Sequence, residues 1–250
     1  MKSYLSLVPI SAKVRKRQNR MTILCVIISI FLVTAIFSVA DMMIRTQSDR
    51  MTGKNGSWHI ELDGISQETA LKIVERDDVV SIGAVTIFNP DGELPYRMDG
   101  KRVVLYGIDE SYLTMNSTGA AEGRFPQGMG EIMLSSNAAR VLQVAVGDTV
   151  TLRTPSGDWD FTVSGLGGVE ESYYSGQYSL MDAYLPRTAF AALMEQNNVH
   201  NLQTSYYVQF TSASKAAKAI PELTAQHNLP ENAVSENTGV MAIAGHSDSS

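Results

Sequence analysis

Residues 14–43 read VRKRQNRMTILCVIISIFLVTAIFSVADMM, and this stretch decides how the rest of the chain is organised. From Met21 to Ala40 it carries no charge and consists mostly of Ile, Val, Leu, Phe and Ala. About 20 such residues are needed for a helix to span the hydrocarbon core of a membrane, where a helix pairs every backbone amide internally. We therefore predict a transmembrane helix over residues 21–43.

The charges beside this apolar run predict its orientation. Five basic residues precede it, whereas Asp41 and Arg45 follow it; the five are Lys13, Arg15, Lys16, Arg17 and Arg20. Because basic flanks stay on the cytoplasmic side, we expect residues 1–20 in the cytoplasm and residues 45–250 outside the plasma membrane. Residues 4–19 suit either a short amphipathic helix on the inner membrane surface or a disordered basic tail.

A cleaved signal peptide is the competing interpretation of the same run. Ser38-Val39-Ala40 has small residues where a signal peptidase would cut. However, the run is longer than the roughly 7–15 apolar residues of a usual signal peptide, and twenty residues precede it. We therefore favour an uncleaved anchor.

Composition excludes several classes of function. The chain has 250 residues and a net charge of −6, which divides into +5 over residues 1–44 and −11 over residues 45–250. An acidic outer part repels nucleic acid. The single cysteine, Cys25, lies inside the apolar run, so neither an intramolecular disulfide nor a cysteine zinc site is expected.

The outer part predicts an α+β domain with two strand–helix–strand halves, over residues 57–108 and 178–236. In the first half, Ser66 is a good helix N-cap and Val79–Phe88 is a β-rich run. In the second, Tyr178–Leu185 reads as a strand, and residues 204–210 alternate between apolar and polar. A helix is expected over Ala213–His227, kinked or restarted at Pro221.

Residues 109–177, between these halves, predict an inserted small β-rich module. Ile132–Leu134 reads as a strand, followed by a short helix capped by Ser135 or Ser136. Two alternating strands then flank a hairpin loop at Pro155–Asp158. Short strands separated by Gly-rich turns are typical of such a module.

Two stretches resemble the FtsX-like ABC-transporter permeases with a MacB-like extracytoplasmic core domain. KRQNRMTILCVIISIFL (16–32) is similar to the family's basic entry into its first membrane helix. EGRFPQGMGEIMLSSNAARVLQVAVGDTVTL (122–152) is similar to its central signature, including Gly123, Arg124, Pro126 and the Gly147-Asp148 turn. Family members continue with three more membrane helices, so we expect this chain to be the N-terminal portion, ending before the second helix.

The resemblance implies a transporter permease that is not itself an enzyme. It implies a separate ABC ATP-binding subunit as partner, and a second permease copy or homologue. The motion of that ATPase would pass through the span to the outer domain, for export or handling of a peptide or lipid-linked substrate. No cofactor is implied.

The residues themselves predict no catalytic, cofactor-binding or metal site. The sequence lacks a Gly-x-x-x-x-Gly-Lys-Ser/Thr phosphate loop. The four histidines are far apart and are expected at the surface: His59, His200, His227 and His246. The acidic pairs Asp109-Glu110 and Glu170-Glu171 are expected to be solvated loop charges.

Tyr173, Tyr174 and Tyr178 are expected either to cover a subdomain junction or to form a recognition surface; packing at the junction is favoured.

Two alternatives to a permease remain. One is a stand-alone anchored binding or scaffold protein without transport activity. The other is a secreted enzyme released after Ala40, which the lack of any nucleophile–base constellation disfavours.

Overall fold

The computed structural model describes residues 16–116, 120–167 and 180–247, and the chain divides into two compact units, residues up to Arg50 and residues from Met51 onward. Each unit is described by itself. Several predictions lie outside the described residues: the amphipathic segment before Lys16, the Glu170-Glu171 pair, and the surface formed by Tyr173, Tyr174 and Tyr178.

The first unit is formed by helix α1, which spans Lys16–Asn55. Its segment Gln18–Met43 is long and apolar enough to cross a membrane. The apolar side chains from Met21 to Met43 are exposed in the structure, as expected for a helix that meets lipid. The helix continues past the predicted span, residues 21–43, as far as Asn55.

Two local features explain why α1 ends later than the predicted span. Residues 45–55 contain no proline, and adding a residue to an existing helix costs far less than starting one. Gly56 then adopts a left-handed conformation, with φ of +80°, which is typical of the residue after a helix. A Cβ at Gly56 would lie 2.6 Å from the carbonyl oxygen of Met115.

The second unit mixes strands with short helices, which confirms the predicted mixed class. Its strands are β1 (Ile60–Asp63), β2 (Val79–Phe88), β3 (Arg97–Met98), β4 (Lys101–Ile108), β5 (Ala120–Gly123), β6 (Glu131–Leu134), β7 (Thr149–Thr154), β8 (Gly157–Gly167), β9 (Leu180–Pro186), β10 (Thr204–Phe210) and β11 (Val234–Glu236). Its helices are α2 (Gln67–Val74), α3 (Glu110–Met115), α4 (Ser136–Leu142), α5 (Arg187–Gln196), α6 (Ala213–His227) and α7 (Thr238–Ser247).

One end of the sheet is an open antiparallel wing with the strand order β11-β1-β10-β2-β4. β10 lies between β1 and β2, with Leu62 opposite Tyr206 and Tyr206 opposite Ala84. The buried side chains of one wing face pack with those of α2 and α6, including Ile73 and Leu223. The opposite face packs against α3.

The other end of the sheet closes on itself. Within the described residues, the pairing runs β4-β3-β7-β8-β6-β9 and returns to β4 through a parallel pair that extends from Arg102–Leu180 to Ile108–Pro186. A small closed barrel has room inside only for its own side chains. Leu105, Leu152, Phe161 and Val163 fill this interior, each 1% exposed or less, and Phe190 of α5 packs with them.

Most local predictions agree with these elements. Ser66 caps α2 by accepting a hydrogen bond from the amide of Thr69, and β2 has the predicted bounds. Of the two candidate caps of α4, Ser135 is the one used, since it accepts from the amide of Ala138. Inward and outward residues alternate on β7, with Val150 and Leu152 buried.

Two local predictions are wrong. The hairpin loop is Pro155-Ser156 rather than Pro155–Asp158, because Gly157 and Asp158 already pair with Thr154 and Arg153. Pro221 does not restart the helix, because α6 runs unbroken from Ala213 to His227. Buried residues of α6 lie on both sides of the proline, so packing on the wing offsets the missing amide bond.

Candidate functional site

Two structural regions bear on function: a cluster of hydrogen bonds around Asn237 and a cleft between α2 and α5. In residues 16–116, 120–167 and 180–247, no three His, Cys, Asp or Glu side chains converge as metal ligands would. Individual polar residues must therefore be taken one at a time, starting with those that the sequence placed at the surface.

His59 is buried, contrary to the prediction. Its exposed fraction is 8%, its Nδ1 accepts a 3.1 Å hydrogen bond from the amide of Phe210, and its ring lies edge-on to the Phe210 ring. Burial lowers the pKa of His59, since water no longer stabilises the imidazolium. A β-strand neighbour far along the chain buries this ring, which the sequence pattern could not reveal. His200 is exposed, as predicted.

The second unit is expected to lose stability in mild acid because of His59. With its pKa lowered by folding, neutral His59 contributes stability that is complete above about pH 6.5, the unfolded value, and is lost as pH falls below it. Urea unfolding of the full chain between pH 7.5 and 5.5 measures this slope. His59→Asn should flatten the slope, whereas the exposed control His200→Asn should leave it as in the unaltered protein. Equal slopes in all three would contradict the assignment.

Asp109 was predicted to be a solvated loop charge, and this prediction is also wrong. Its Oδ1 accepts from the amide of Tyr112 and its Oδ2 from the amide of Ala84, both at 2.9 Å. It therefore caps α3 and ties that helix to β2. Burial raises the pKa of Asp109, while the two amide bonds oppose the shift. Its neighbour Glu110 is exposed, as predicted.

The central stretch, residues 122–152, contains a cluster of hydrogen bonds that we call the Glu131 clamp. Arg124 donates to both carboxylate oxygens of Glu131, and the amides of Gln127 and Gly128 donate to Oε2 of the same carboxylate at 2.8 and 3.2 Å. These bonds, with that from Arg124 largest, lower the pKa of Glu131 to about 2. The clamp closes the loop that leads into β6.

Asn237 joins two chain segments that lie far apart in sequence. It is 5% exposed; its Nδ2 donates to the carbonyl of Trp58 and its backbone amide to the carbonyl of His59, both at 2.9 Å. Its own carbonyl accepts from the amides of Val240 and Met241, in the first turn of α7. We call these five residues the Asn237 clasp. It ties the segment that follows α1 directly to the start of α7.

The clasp is anchored to the sheet through Trp58. The Trp58 ring meets Tyr207 of β10 edge-on at 4.9 Å, and Tyr207 meets Tyr112 of α3 edge-on at 5.1 Å. The hydroxyl of Tyr207 donates to Oε1 of Glu61 at 2.7 Å. Burial raises the pKa of Tyr112 to about 12 and also raises that of Glu61. Trp58 is therefore packed against buried and half-buried side chains of the sheet and of α3.

A cleft of about 670 Å³ opens between α2 and α5 on the same face as those helices. We call it the α2–α5 cleft; its lining comprises Gln67, Thr86, Arg187, Thr188, Phe190, Ala191, Met194, Glu195, Val199, His200, Asn201, Leu202 and Thr204. A smaller pocket of about 120 Å³ shares Gln67 and Arg187 with it. The volume of the larger one, the α2–α5 cleft, lies within the range of about 300–1,000 Å³ that is usual for ligand sites.

The cleft exists because two hydrophobic cores are covered by different helices. α5 packs on the barrel core, whereas α2 and α6 pack on the wing core. The seam between the two cores is lined in part by small side chains: Ala84 and Thr86 of β2 and Thr204 of β10. The Thr86 and Thr204 hydroxyls bond to each other at 2.7 Å. No short motif encodes this arrangement, so sequence reasoning missed it.

Arg187 is the charged residue at the junction of the two pockets. It is half-buried and makes no side-chain hydrogen bond or salt bridge with any residue that the structure describes. Asp109 interacts with it electrostatically, but both Asp109 oxygens already accept backbone amides. The guanidinium donors of Arg187 are thus unused within residues 16–116, 120–167 and 180–247. Arg187 also begins α5, whose N-terminus has no side-chain cap.

Comparisons with known proteins agree with this fold. The periplasmic region of MacB from Actinobacillus actinomycetemcomitans superposes with a TM-score of 0.54 at 14% identity, covering 80% of this chain and 96% of that one. The extracellular domain of the noncanonic ABC-type transporter YknZ from Gram-positive bacteria gives 0.48 at 16% identity, covering 69% and 88%. No curated protein is significantly similar in sequence.

The sequence profile of the MacB-like periplasmic core domain matches residues 21–226, which is most of the chain. That range begins within α1 and ends within α6, and it includes strands β1 to β10. One apolar N-terminal helix followed by a periplasmic-type domain indicates membrane anchoring with an extracytoplasmic segment. The chain therefore belongs to the MacB-like periplasmic core domain family, the extracytoplasmic domains of FtsX/MacB-like ABC-transporter permeases.

Proposed function

We propose that this chain provides the first membrane span and outer domain of an ABC-transporter permease that works as a mechanical relay. A separate ATP-binding subunit in the cytoplasm hydrolyses ATP, and a second permease copy or homologue completes the complex. The relayed motion serves export or handling of a peptide or lipid-linked substrate. Family membership supports the class of protein, and the relay rests on one feature of the outer domain.

That feature is the Asn237 clasp. A relay must receive motion at the segments that connect a domain to the membrane, and it must have two packings. Residues 56–59 follow α1, and Asn237 begins the turn into α7. Because Asn237 bonds both Trp58 and His59, a shift of one segment displaces the other. The His59 amide in turn donates to Val208 of β10 at 2.9 Å, which passes the shift to the sheet.

The proposal includes a topology and a domain division. Residues 1–20 are cytoplasmic, residues 21–43 cross the membrane, and residues 45–250 are extracytoplasmic. The outer domain has two strand–helix–strand halves, residues 57–108 and 178–236, with a β-rich insertion over residues 109–177. β4 lies in the first half and β9 in the second. Because both strands also complete the barrel, the insertion would join the wing at these two strands.

The relay is tested by purifying the tagged chain from its own membranes. A P-loop ATPase is expected to co-purify. In that complex, reconstituted in nanodiscs, nucleotide should change hydrogen exchange at the amides of residues 57–59 and 240–241 together. Asn237→Ala removes the side-chain bond to Trp58 and should weaken this coupling by about 0.5–2 kcal/mol.

The exposed Asn232→Ala is the matched control and should retain the coupled response. If Asn237→Ala behaves like this control, the clasp does not carry the motion. If no ATPase co-purifies, the relay proposal is wrong, and an anchored binding or scaffold protein becomes the better description.

A further inference from the structure

We propose that the α2–α5 cleft binds a peptide whose apolar C-terminal residues lie in the cleft and whose terminal carboxylate pairs with Arg187. Treating this peptide as cargo rests on the proposed function; its binding to the cleft does not. Three properties of the cleft lead to this assignment: an available cation, an apolar base, and polar groups spread along the walls.

Arg187 selects an anion at one end of the cleft. Its guanidinium is half-buried at the junction of the two pockets, and none of its donors is used by a described residue. A planar guanidinium matches a carboxylate with two parallel hydrogen bonds. Glu195 lies eight residues further along α5, about 12 Å away at the helical rise, and repels an anion at the opposite end. Asp109 lies near Arg187 and offsets part of its charge, so the guanidinium hydrogen bonds hold the carboxylate while Glu195 keeps it from the other end.

The base of the cleft between these charges is apolar. Val199 and Leu202 are half-buried and Ala191 is exposed, so these three residues offer apolar surface that a ligand can cover. In the adjoining pocket, Leu71 of α2 is 57% exposed. Covering such surface with apolar ligand groups contributes about 25 cal/mol per Å². The cleft therefore favours aliphatic or aromatic side chains next to the carboxylate.

Polar groups in the same walls favour a peptide over a fatty acid. The Gln67 and Asn201 amides and the Thr188 hydroxyl, all on exposed residues, line the cleft beside the apolar residues. A bare hydrocarbon chain would cover these groups without offering hydrogen bonds, which costs free energy for each group desolvated. Peptide amides both donate and accept, and so can satisfy them. His200 is exposed at the cleft rim and adds a further polar group.

Fluorescence anisotropy on the full chain in nanodiscs tests the proposal without any ATPase present. The probe is a fluorescein-labelled peptide ending in Val-Leu-Leu with a free carboxylate, and its comparison is the same peptide as a C-terminal amide. Charge-assisted hydrogen bonds are worth enough that the amide should bind about 10- to 100-fold more weakly. Arg187→Gln should weaken the carboxylate peptide by a similar factor and abolish the difference between the two.

Three further variants test whether peptide binding depends on the cleft itself. Ala191→Trp places an indole in the cleft at an exposed lining position and should weaken both peptides, whereas Ala217→Trp on the exposed side of α6 should not. The exposed Arg153→Gln removes the same charge as Arg187→Gln at a position outside the cleft lining and should leave binding unchanged.

The proposal is overturned by any of three results: no saturable binding up to millimolar peptide, equal affinity for acid and amide, or Arg187-dependent binding of decanoate without binding of the peptide. The last result would assign the cleft to a lipid carboxylate. Because the measurement needs no ATPase, failure here leaves the relay standing, and failure to find an ATPase leaves the cleft assignment standing.

Discussion

Reversing four charges before the apolar run, by changing Arg15, Lys16, Arg17 and Arg20 to Glu, is expected to invert the chain in the membrane. The change moves that flank from strongly basic to strongly acidic, and basic residues near a span decide which side stays in the cytoplasm. Most of the molecules, more than about half, should then place residues 45–250 in the cytoplasm.

Thiol labelling measures this orientation directly. Cys25 is the only natural cysteine, so a Cys25→Ala background with Ser156→Cys carries a single thiol in the exposed β7–β8 loop. A membrane-impermeant maleimide added to intact cells should label the parent and fail to label most of the charge-reversed chain. Changing four exposed cations of the outer domain, Arg140, Arg153, Lys215 and Lys218, to Glu is the matched control and should leave labelling intact. Full labelling of the charge-reversed chain would show that the predicted topology is wrong.

Gly83→Ala is expected to destabilise the second unit by about 1–3 kcal/mol, the usual cost of forcing an extra carbon into packed structure. An added Cβ would lie 2.5 Å from both the Cα and the amide nitrogen of Tyr112. Backbone atoms cannot rotate away, so α3 must shift. That shift strains the two amide bonds to Asp109 and the Tyr112–Tyr207 contact. Urea unfolding of the full chain in micelles measures the loss.

Gly130→Ala is the matched control for Gly83→Ala. Its added Cβ would meet nothing within 4 Å among the described residues, so its stability should change by less than about 0.5 kcal/mol. Hydrogen exchange of α3 amides should accelerate in Gly83→Ala only. Equal stabilities for the two variants would show that the α3 contact contributes little to the fold.

Features that depend only on neighbouring residues could be predicted from the sequence alone. The apolar run predicted the span, Ser66 predicted its helix cap, and the Val79–Phe88 run predicted a strand with those bounds. Each follows from local hydrogen bonding or from side-chain periodicity, which act over a few residues. The quoted stretches also identified the family, which the profile match over residues 21–226 confirms.

The local sequence pattern did not predict the structure correctly where a contact with a distant part of the chain outweighed it. Pro221 has a poor helical propensity, yet α6 continues through it because both of its ends pack on the wing. His59 directly precedes β1 and carries a polar side chain, yet its hydrogen bond from the amide of Phe210 makes burial favourable. Propensity sets the starting preference, and tertiary packing overrides it.

Only the tertiary structure decided the strand order and both candidate functional regions. β10 lies between β1 and β2, β9 closes the barrel against β4, and Asn237 reaches back to Trp58. The α2–α5 cleft is a seam between two cores, so its position depends on how the helices that cover them divide the sheet. Such pairings are chosen by the total apolar surface that they bury and the polar groups that they satisfy, which are sums over residues distant in sequence.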